Sequence, residues 1–160
     1  MNATTFPPPR LRLPHVLMGG VAVGTFDLVF ACTWWFIAAH VPPIRIFQSI
    51  GSGLLGEASF EGGLRSAAIG GVAHYFIATC FVLAYALAST RMPTLVREPW
   101  RWGALYGLCL YCVMTYIVVP LSAAGGPSKF HLAWAVASVV VHVLIGIACA
   151  FFARGALRRQ

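Results

Sequence analysis

Four apolar runs constrain this chain more than any other feature of its sequence. Each is about 20 residues long, which is the length that an α-helix needs to cross a hydrocarbon core of ~30 Å. Proline cannot continue the helical hydrogen-bond ladder, and Pro42, Pro93 and Pro120 stand near the ends of three runs. The runs predict membrane-spanning helices at roughly 15–39, 65–88, 102–119 and 130–152.

Composition supports lipid as the solvent of the folded chain. Hydrophobic residues make up 59% of the 160 residues and charged residues only 9%, whereas a soluble domain carries about 25% charged residues. The net charge of +7 comes from short basic groups scattered between the apolar runs, without the basic patch that nucleic acid requires. We therefore expect a single integral membrane domain over residues 1–160, with the bilayer and not nucleic acid as its partner.

The segment between the first two runs is too long for a simple turn. Within residues 43–55, Ile44, Phe47, Ile50 and Leu54 share one helical face, and the proline pair before Ile44 suits a helix start. About a dozen residues cannot span a bilayer, so we predict an interfacial or re-entrant helix. The predicted fold class is an all-α, antiparallel four-helix transmembrane bundle with this short helix in its first outer loop.

Basic residues predict how the bundle is oriented. Lys and Arg accumulate in cytoplasmic loops, and four spans place both chain ends and the 89–101 loop on one side. That side carries eight basic residues: Arg10, Arg12, Arg91, Arg97, Arg101, Arg154, Arg158 and Arg159. The other side carries three: Arg45, Arg65 and Lys129. Both termini are therefore predicted to be cytoplasmic.

Three stretches carry a resemblance to a known group of proteins. They are the segment from Pro42 to Gly63, the sequence Gly24-Thr25-Phe26-Asp27, and the sequence Tyr116-Ile117-Val118-Val119-Pro120-Leu121-Ser122. Together they resemble uncharacterised four-helix bacterial inner-membrane proteins, distantly YagU-like. The resemblance implies a bacterial cytoplasmic (inner) membrane location, and it supplies no catalytic residue.

Three ionisable residues inside the spans are the candidate functional site. Asp27, His74 and His142 lie at similar depth on three different helices, and a charge at the bilayer centre costs at least ~2.5–3.5 kcal/mol by insertion scales. Small residues accompany each of them at helical spacing, which indicates faces where helices approach closely. One hypothesis is a structural hydrogen bond from Asp27. The other is a proton or cation site, with a transition metal among the ions that Asp and His ligands accept.

Four further residues are candidates at the outer face. His40 and His131 are predicted at the outer interface. Glu57 and Glu61 could bind a cation from the outer loop, although a solvated surface is the favoured explanation for them. Two histidines on different helices can also hold a haem, through either His74 with His142 or His40 with His131. No cofactor is predicted, and haem b is the alternative.

The sequence favours a non-enzymatic function. No nucleotide-binding loop, zinc-protease motif or nucleophile elbow is present, and the five cysteines lie in apolar runs, where we expect them to act as small packing residues. The predicted function is a small ion- or solute-handling protein, or a subunit of a membrane complex. The alternative is a haem- or quinone-binding redox subunit. Four helices seldom enclose a pathway alone, so we also expect a homo-oligomer or a larger assembly.

Overall fold

The computed structural model describes residues 11–124 and 131–157, and these are helical with short connections. Four helices are long and apolar enough to cross a membrane. In chain order the helices are α1 (Leu13–Ala39), α2 (Pro43–Leu55), α3 (Gly63–Arg91), α4 (Pro99–Leu121) and α5 (Leu132–Ala156). A 3-10 turn at Gly56–Phe60 joins α2 to α3, and one helical turn at Thr94–Arg97 joins α3 to α4. The predicted all-α membrane bundle with its additional short helix is confirmed.

The helix boundaries lie within a few residues of the predicted ones. Pro14, Pro43 and Pro99 each occupy the first turn of a helix, where a missing N–H costs nothing. Helix α1 ends at Ala39 because His40 adopts the left-handed conformation, with φ 51°. The predicted start of the fourth span at residue 130 lies outside the described residues, as do Arg10, Lys129, Arg158 and Arg159.

Helix α5 holds the bundle together, since it contacts each of the other three spans. Its closest partner is α4, through the face that carries Gly103 and Gly107. A Cβ atom at Gly103 would lie 2.7 Å from Cα of Ile147, and one at Gly107 would lie 2.7 Å from Cα of Val143. The two backbones therefore pack at a distance that only glycine permits.

The tightest core lies toward the end of the bundle where Arg12 and Ala156 meet, which we call the termini end. There the Arg12 N–H donates to the Ala156 carbonyl at 3.0 Å. Tyr85 and Cys149 are almost completely buried nearby, and the Tyr85 hydroxyl donates to the Leu95 carbonyl at 2.9 Å. Cys149 is thus a packing residue as expected. Cys109 and Cys112, in contrast, are exposed on α4 and fill no gap in the core.

The opposite end, which we call the α2 end, is packed differently. Helix α4 passes through a π-helical segment at Met114–Val118 and finishes with Val119–Leu121, and none of these residues is buried. The Ala123 N–H donates to the Gly53 carbonyl of α2 at 3.0 Å, so the tip of α4 is attached to the short helix. The π segment was not predicted from the sequence, in which Pro120 is the one helix-disturbing residue nearby.

Helix α2 packs across the first third of α3 through its polar face. Gln48, Gly51 and Ser52 are buried, whereas Leu54 on the apolar face is exposed. The Ser59 hydroxyl donates to the Gln48 carbonyl at 2.7 Å. The other residues of that apolar face, Ile44, Phe47 and Ile50, are half-buried. An exposed apolar side chain beside spanning helices is stable in lipid, where polar groups must find partners inside the protein. The depth of this helix in the bilayer and the side on which it lies stay predictions.

Replacing Gly70 by alanine is expected to lift α2 from α3. The added Cβ would collide with the Phe47 carbonyl oxygen and lie 2.8 Å from the Gly51 nitrogen, and backbone atoms cannot move without shifting the helix. Ser52 is buried in this contact. Maleimide should label a Ser52→Cys probe, in a chain without its native cysteines, about tenfold faster or more after the change.

Gly71→Ala is the matched control for this experiment. Its Cβ would lie 3.3 Å from the Phe47 ring, which can rotate away. Equal labelling rates in the Gly70→Ala and Gly71→Ala chains would show that the α2–α3 contact is not close.

Candidate functional site

The site begins with a close approach of α1 to α3. A Cβ atom at Gly20 would lie 2.8 Å from Cα of Thr79, and one at Gly24 would lie 2.8 Å from the Tyr75 ring. These two glycines stand one helical turn apart on α1, and Asp27 follows in the next turn of the same face. The small residues therefore bring the Asp27 carboxylate against α3.

Asp27 lies beside His74 in the structure. The distance between Asp27 Oδ2 and His74 Nε2 is 3.9 Å, and the side chains are 30% and 14% exposed, respectively. This separation is too long for a hydrogen bond, but it allows an ion pair when the imidazole is protonated, or a bridge through one water molecule. The Asp27 side chain is thus the more accessible member of a half-buried pair.

A hydrogen bond determines which His74 nitrogen carries the proton. The His74 Nε2–H donates to the Gly24 carbonyl at 2.9 Å, and a carbonyl oxygen only accepts. In neutral His74 the lone pair is therefore on Nδ1, and the nitrogen nearest Asp27 is a donor. The same bond joins α3 to α1 one turn from the carboxylate.

His142 approaches the site from α5. Its Nδ1–H donates to the Ser138 carbonyl at 2.8 Å, so neutral His142 keeps its lone pair on Nε2. The ring packs edge-on against Tyr111 of α4, with centroids 5.6 Å apart. His142 lies beyond ion-pair distance from Asp27, yet it is the second charge partner of that carboxylate after His74.

One buried polar atom near His142 is left without a partner. The Ser138 hydroxyl oxygen makes no hydrogen bond among the described residues, although Ser138 is only 6% exposed. Leaving a buried hydroxyl unsatisfied costs ~1–3 kcal/mol. Ser138 stands one turn from His142 on the same small-residue face, which makes it a further candidate member of the site.

The outer-face candidates are not brought into this site. His40 and His131 are exposed and pack edge-on against Phe36 and Trp35, respectively. Glu57 and Glu61 are also exposed, and within the described ranges neither forms an ion pair. No group of three potential metal ligands occurs among the described histidines, cysteines and carboxylates. A role for these four residues stays a prediction.

Aromatic rings fill the space between α1 and α5 toward the α2 end. Trp134 stacks on Phe30 with ring centroids 5.5 Å apart and also contacts Trp34 and Trp35. Phe30 follows Asp27 by less than one turn on α1. These rings form a large apolar cluster in the α1–α5 interface, between the Asp27 carboxylate and the α2 end.

Sequence reasoning missed several neighbours of the site. The Thr25 hydroxyl and the Tyr75 hydroxyl are 3.0 Å apart and join α1 to α3, and Tyr111 contacts His142. Tyrosines within apolar runs are a usable signal, because a phenolic hydroxyl in lipid requires a hydrogen-bond partner. Pairing them correctly requires the helix rotations, which the sequence does not provide.

Comparison of the chain with protein-family models, with curated proteins and with solved structures finds no match. Functional inference therefore rests on the geometry of Asp27, His74 and His142, and the resemblance to YagU-like proteins stays a prediction. The haem hypothesis gains no support from this geometry, because His74 Nε2 already donates to a carbonyl and offers no lone pair to an iron atom.

Proposed function

We propose that this chain is a small multi-pass membrane protein that binds and moves an ion at the site formed by Asp27, His74 and His142. The observation that carries the proposal is the 3.9 Å separation of Asp27 Oδ2 and His74 Nε2 on two apolar spans. Ionisable groups at this depth are expensive, and they characteristically mark ion pathways and proton relays.

A purely structural role explains Asp27 less well. Interhelical hydrogen bonds in membranes contribute about 0.6 kcal/mol on average, which is small beside the cost of retaining a carboxylate. Gly20 and Gly24 already bring α1 and α3 together, and the Thr25–Tyr75 and His74–Gly24 bonds join the same two helices. The α1–α3 interface therefore has its contacts without the Asp27 carboxylate.

The packing of α4 supports the proposal that the working unit is an assembly. Its last turns, Met114–Leu121, contain no buried residue, while its first turns pack closely on α5. A homo-oligomer or a larger membrane complex would supply the missing neighbours and would enclose a pathway that four helices alone do not enclose.

The test of the proposed function is ion flux into proteoliposomes that contain the purified chain, compared with the Asp27→Asn variant and with empty vesicles. Flux is expected for the native chain and not for the variant. Vesicles with the native chain that conduct no ion under a pH gradient or a membrane potential would contradict the proposal.

The proposed location is the bacterial inner membrane, with both termini in the cytoplasm. The support is the excess of Lys and Arg at the chain ends and in the loop between α3 and α4. A reporter that is active only in the periplasm should be inactive after Gln160 and active in a truncated chain that ends at Ser59. Periplasmic activity from the Gln160 fusion would reverse the orientation.

A further inference from the structure

We infer that the ion bound at this site is a proton, carried by the Asp27 carboxylate and the imidazoles of His74 and His142, and not a metal cation. The inference rests on the proposed ion-handling function and names its substrate class. It depends on which ring nitrogens are free, on the charge of the site and on the unpartnered Ser138 hydroxyl.

The orientation of His74 favours a proton over a metal. A metal ion shared with Asp27 would need the lone pair of the nearest imidazole nitrogen, which is Nε2. That nitrogen carries a hydrogen and donates it to the Gly24 carbonyl. Protonation of His74 instead occurs at Nδ1, leaves the Gly24 bond intact, and gives an imidazolium beside the carboxylate.

The charge of the site also favours a proton. Asp27 has the two imidazoles as its only charge partners among the described residues. The rings that pack on the two imidazoles are Tyr75 of α3 against His74 and Tyr111 of α4 against His142, and neither adds a cation to the site. The charges of one carboxylate and one imidazolium sum to zero, whereas a divalent metal ion bound to the carboxylate would leave a net positive charge in lipid. A hard monovalent cation prefers oxygen ligands, and both histidines offer nitrogen.

The proton balance of the relay is simple. A proton enters His74 at Nδ1, and the proton on Nε2, the nitrogen nearest Asp27, leaves for the carboxylate. The Nε2–H bond and its hydrogen bond to the Gly24 carbonyl break and an O–H bond forms on Asp27, so the charged pair becomes a carboxylic acid and a neutral imidazole whose hydrogen is on Nδ1. The reverse step on the second histidine forms its N–H bond at the free nitrogen, which for His142 is Nε2. The site holds one exchangeable proton throughout, and no oxidant or other co-reactant is required.

Ser138 is assigned as a positioning residue in this relay. Its hydroxyl is buried and unpartnered one turn from His142, so it can both donate to and accept from a water molecule near that ring. Asp27 and His74 are 3.9 Å apart, and direct transfer over such a distance requires a bridging water or a small side-chain movement.

The experiment uses proteoliposomes that contain the full chain and the pH dye pyranine. A potassium gradient with valinomycin sets the membrane potential, and internal acidification is recorded. We expect proton flux that is unchanged when sodium is replaced by choline and when EDTA removes divalent metals. His142→Gln should lower the flux about 100-fold. Ser138→Ala should lower it about two- to tenfold, with recovery in Ser138→Thr.

Ser49→Ala serves as the matched serine control, since this exposed residue lies on α2 away from the site. Size-exclusion profiles and helix content check that each variant folds. Flux of sodium, zinc or manganese without acidification would overturn the proton assignment and leave the proposed function standing. A chain that moves no ion of any kind would overturn both.

Discussion

Replacement of Asp27 by asparagine is expected to abolish ion movement while the chain still folds. The amide keeps a hydrogen-bonding oxygen at the same position, but it can neither carry a charge nor exchange a proton. Loss of the ionisable group should reduce flux by about 100-fold or more, as removal of a proton-transferring side chain does in enzymes. Expression should be equal or higher, because a charge is removed from the spanning region.

The matched control is Glu98→Gln, which neutralises an exposed carboxylate between α3 and α4 that pairs with Arg101 at 3.7 Å. An exposed pair of this kind contributes little to stability. Flux in Glu98→Gln should equal that of the native chain. If Asp27→Asn conducts ions normally and only its unfolding midpoint changes, Asp27 has a structural role and the proposed function fails.

Gly107→Ala is expected to produce a large loss of stability. Its Cβ would collide with the His142 carbonyl oxygen and lie 2.7 Å from Cα of Val143, so α4 and α5 would have to separate. Alanine gains ~1 kcal/mol of helix propensity over glycine, yet overpacking of ~1–3 kcal/mol or more opposes it. We expect the free energy of unfolding to fall by ~2 kcal/mol, measured by denaturant titration in detergent micelles.

Gly53→Ala, at another helical glycine, is expected to change stability in the opposite direction. An added Cβ there would lie 3.8 Å from Ser122, which is an ordinary contact. Helix propensity then acts alone and stability should rise by up to ~1 kcal/mol. Equal stability changes in Gly107→Ala and Gly53→Ala would mean that the α4–α5 interface is looser than the structure indicates.

The positions of the helices could be predicted from the sequence because the features that determine them are local. Apolar length and proline position set the spans to within a few residues. Depth along each span also predicted that Asp27 would lie near a histidine, and the structure brings His74 to 3.9 Å. Ion binding by these residues and the orientation of the protein in the membrane stay predictions.

Other features were beyond sequence reasoning because they depend on helix rotation and side-chain rotamers. His74 and His142 were equivalent candidates by depth, and the Gly24 and Ser138 carbonyls decide which nitrogen of each ring is free. The apolar face was the basis for predicting α2, yet the buried residues of this helix are Gln48, Gly51 and Ser52. In lipid the polar groups must pair inside the protein, and this requirement turns the polar face of α2 inward. The hydrophobic periodicity of the sequence does not show which face is buried.

The π-helical segment Met114–Val118 gives α4 a rotational register that differs between its two halves. A π turn accommodates one more residue than an α turn over the same rise. Every side chain beyond it is therefore turned by about 100° relative to an uninterrupted helix. Deleting a single residue from the segment would turn Val119–Leu121 by about 100° and restore one continuous helical register along α4. The two halves of this span can thus present different surfaces, one to the bundle and one to lipid or to a neighbouring chain.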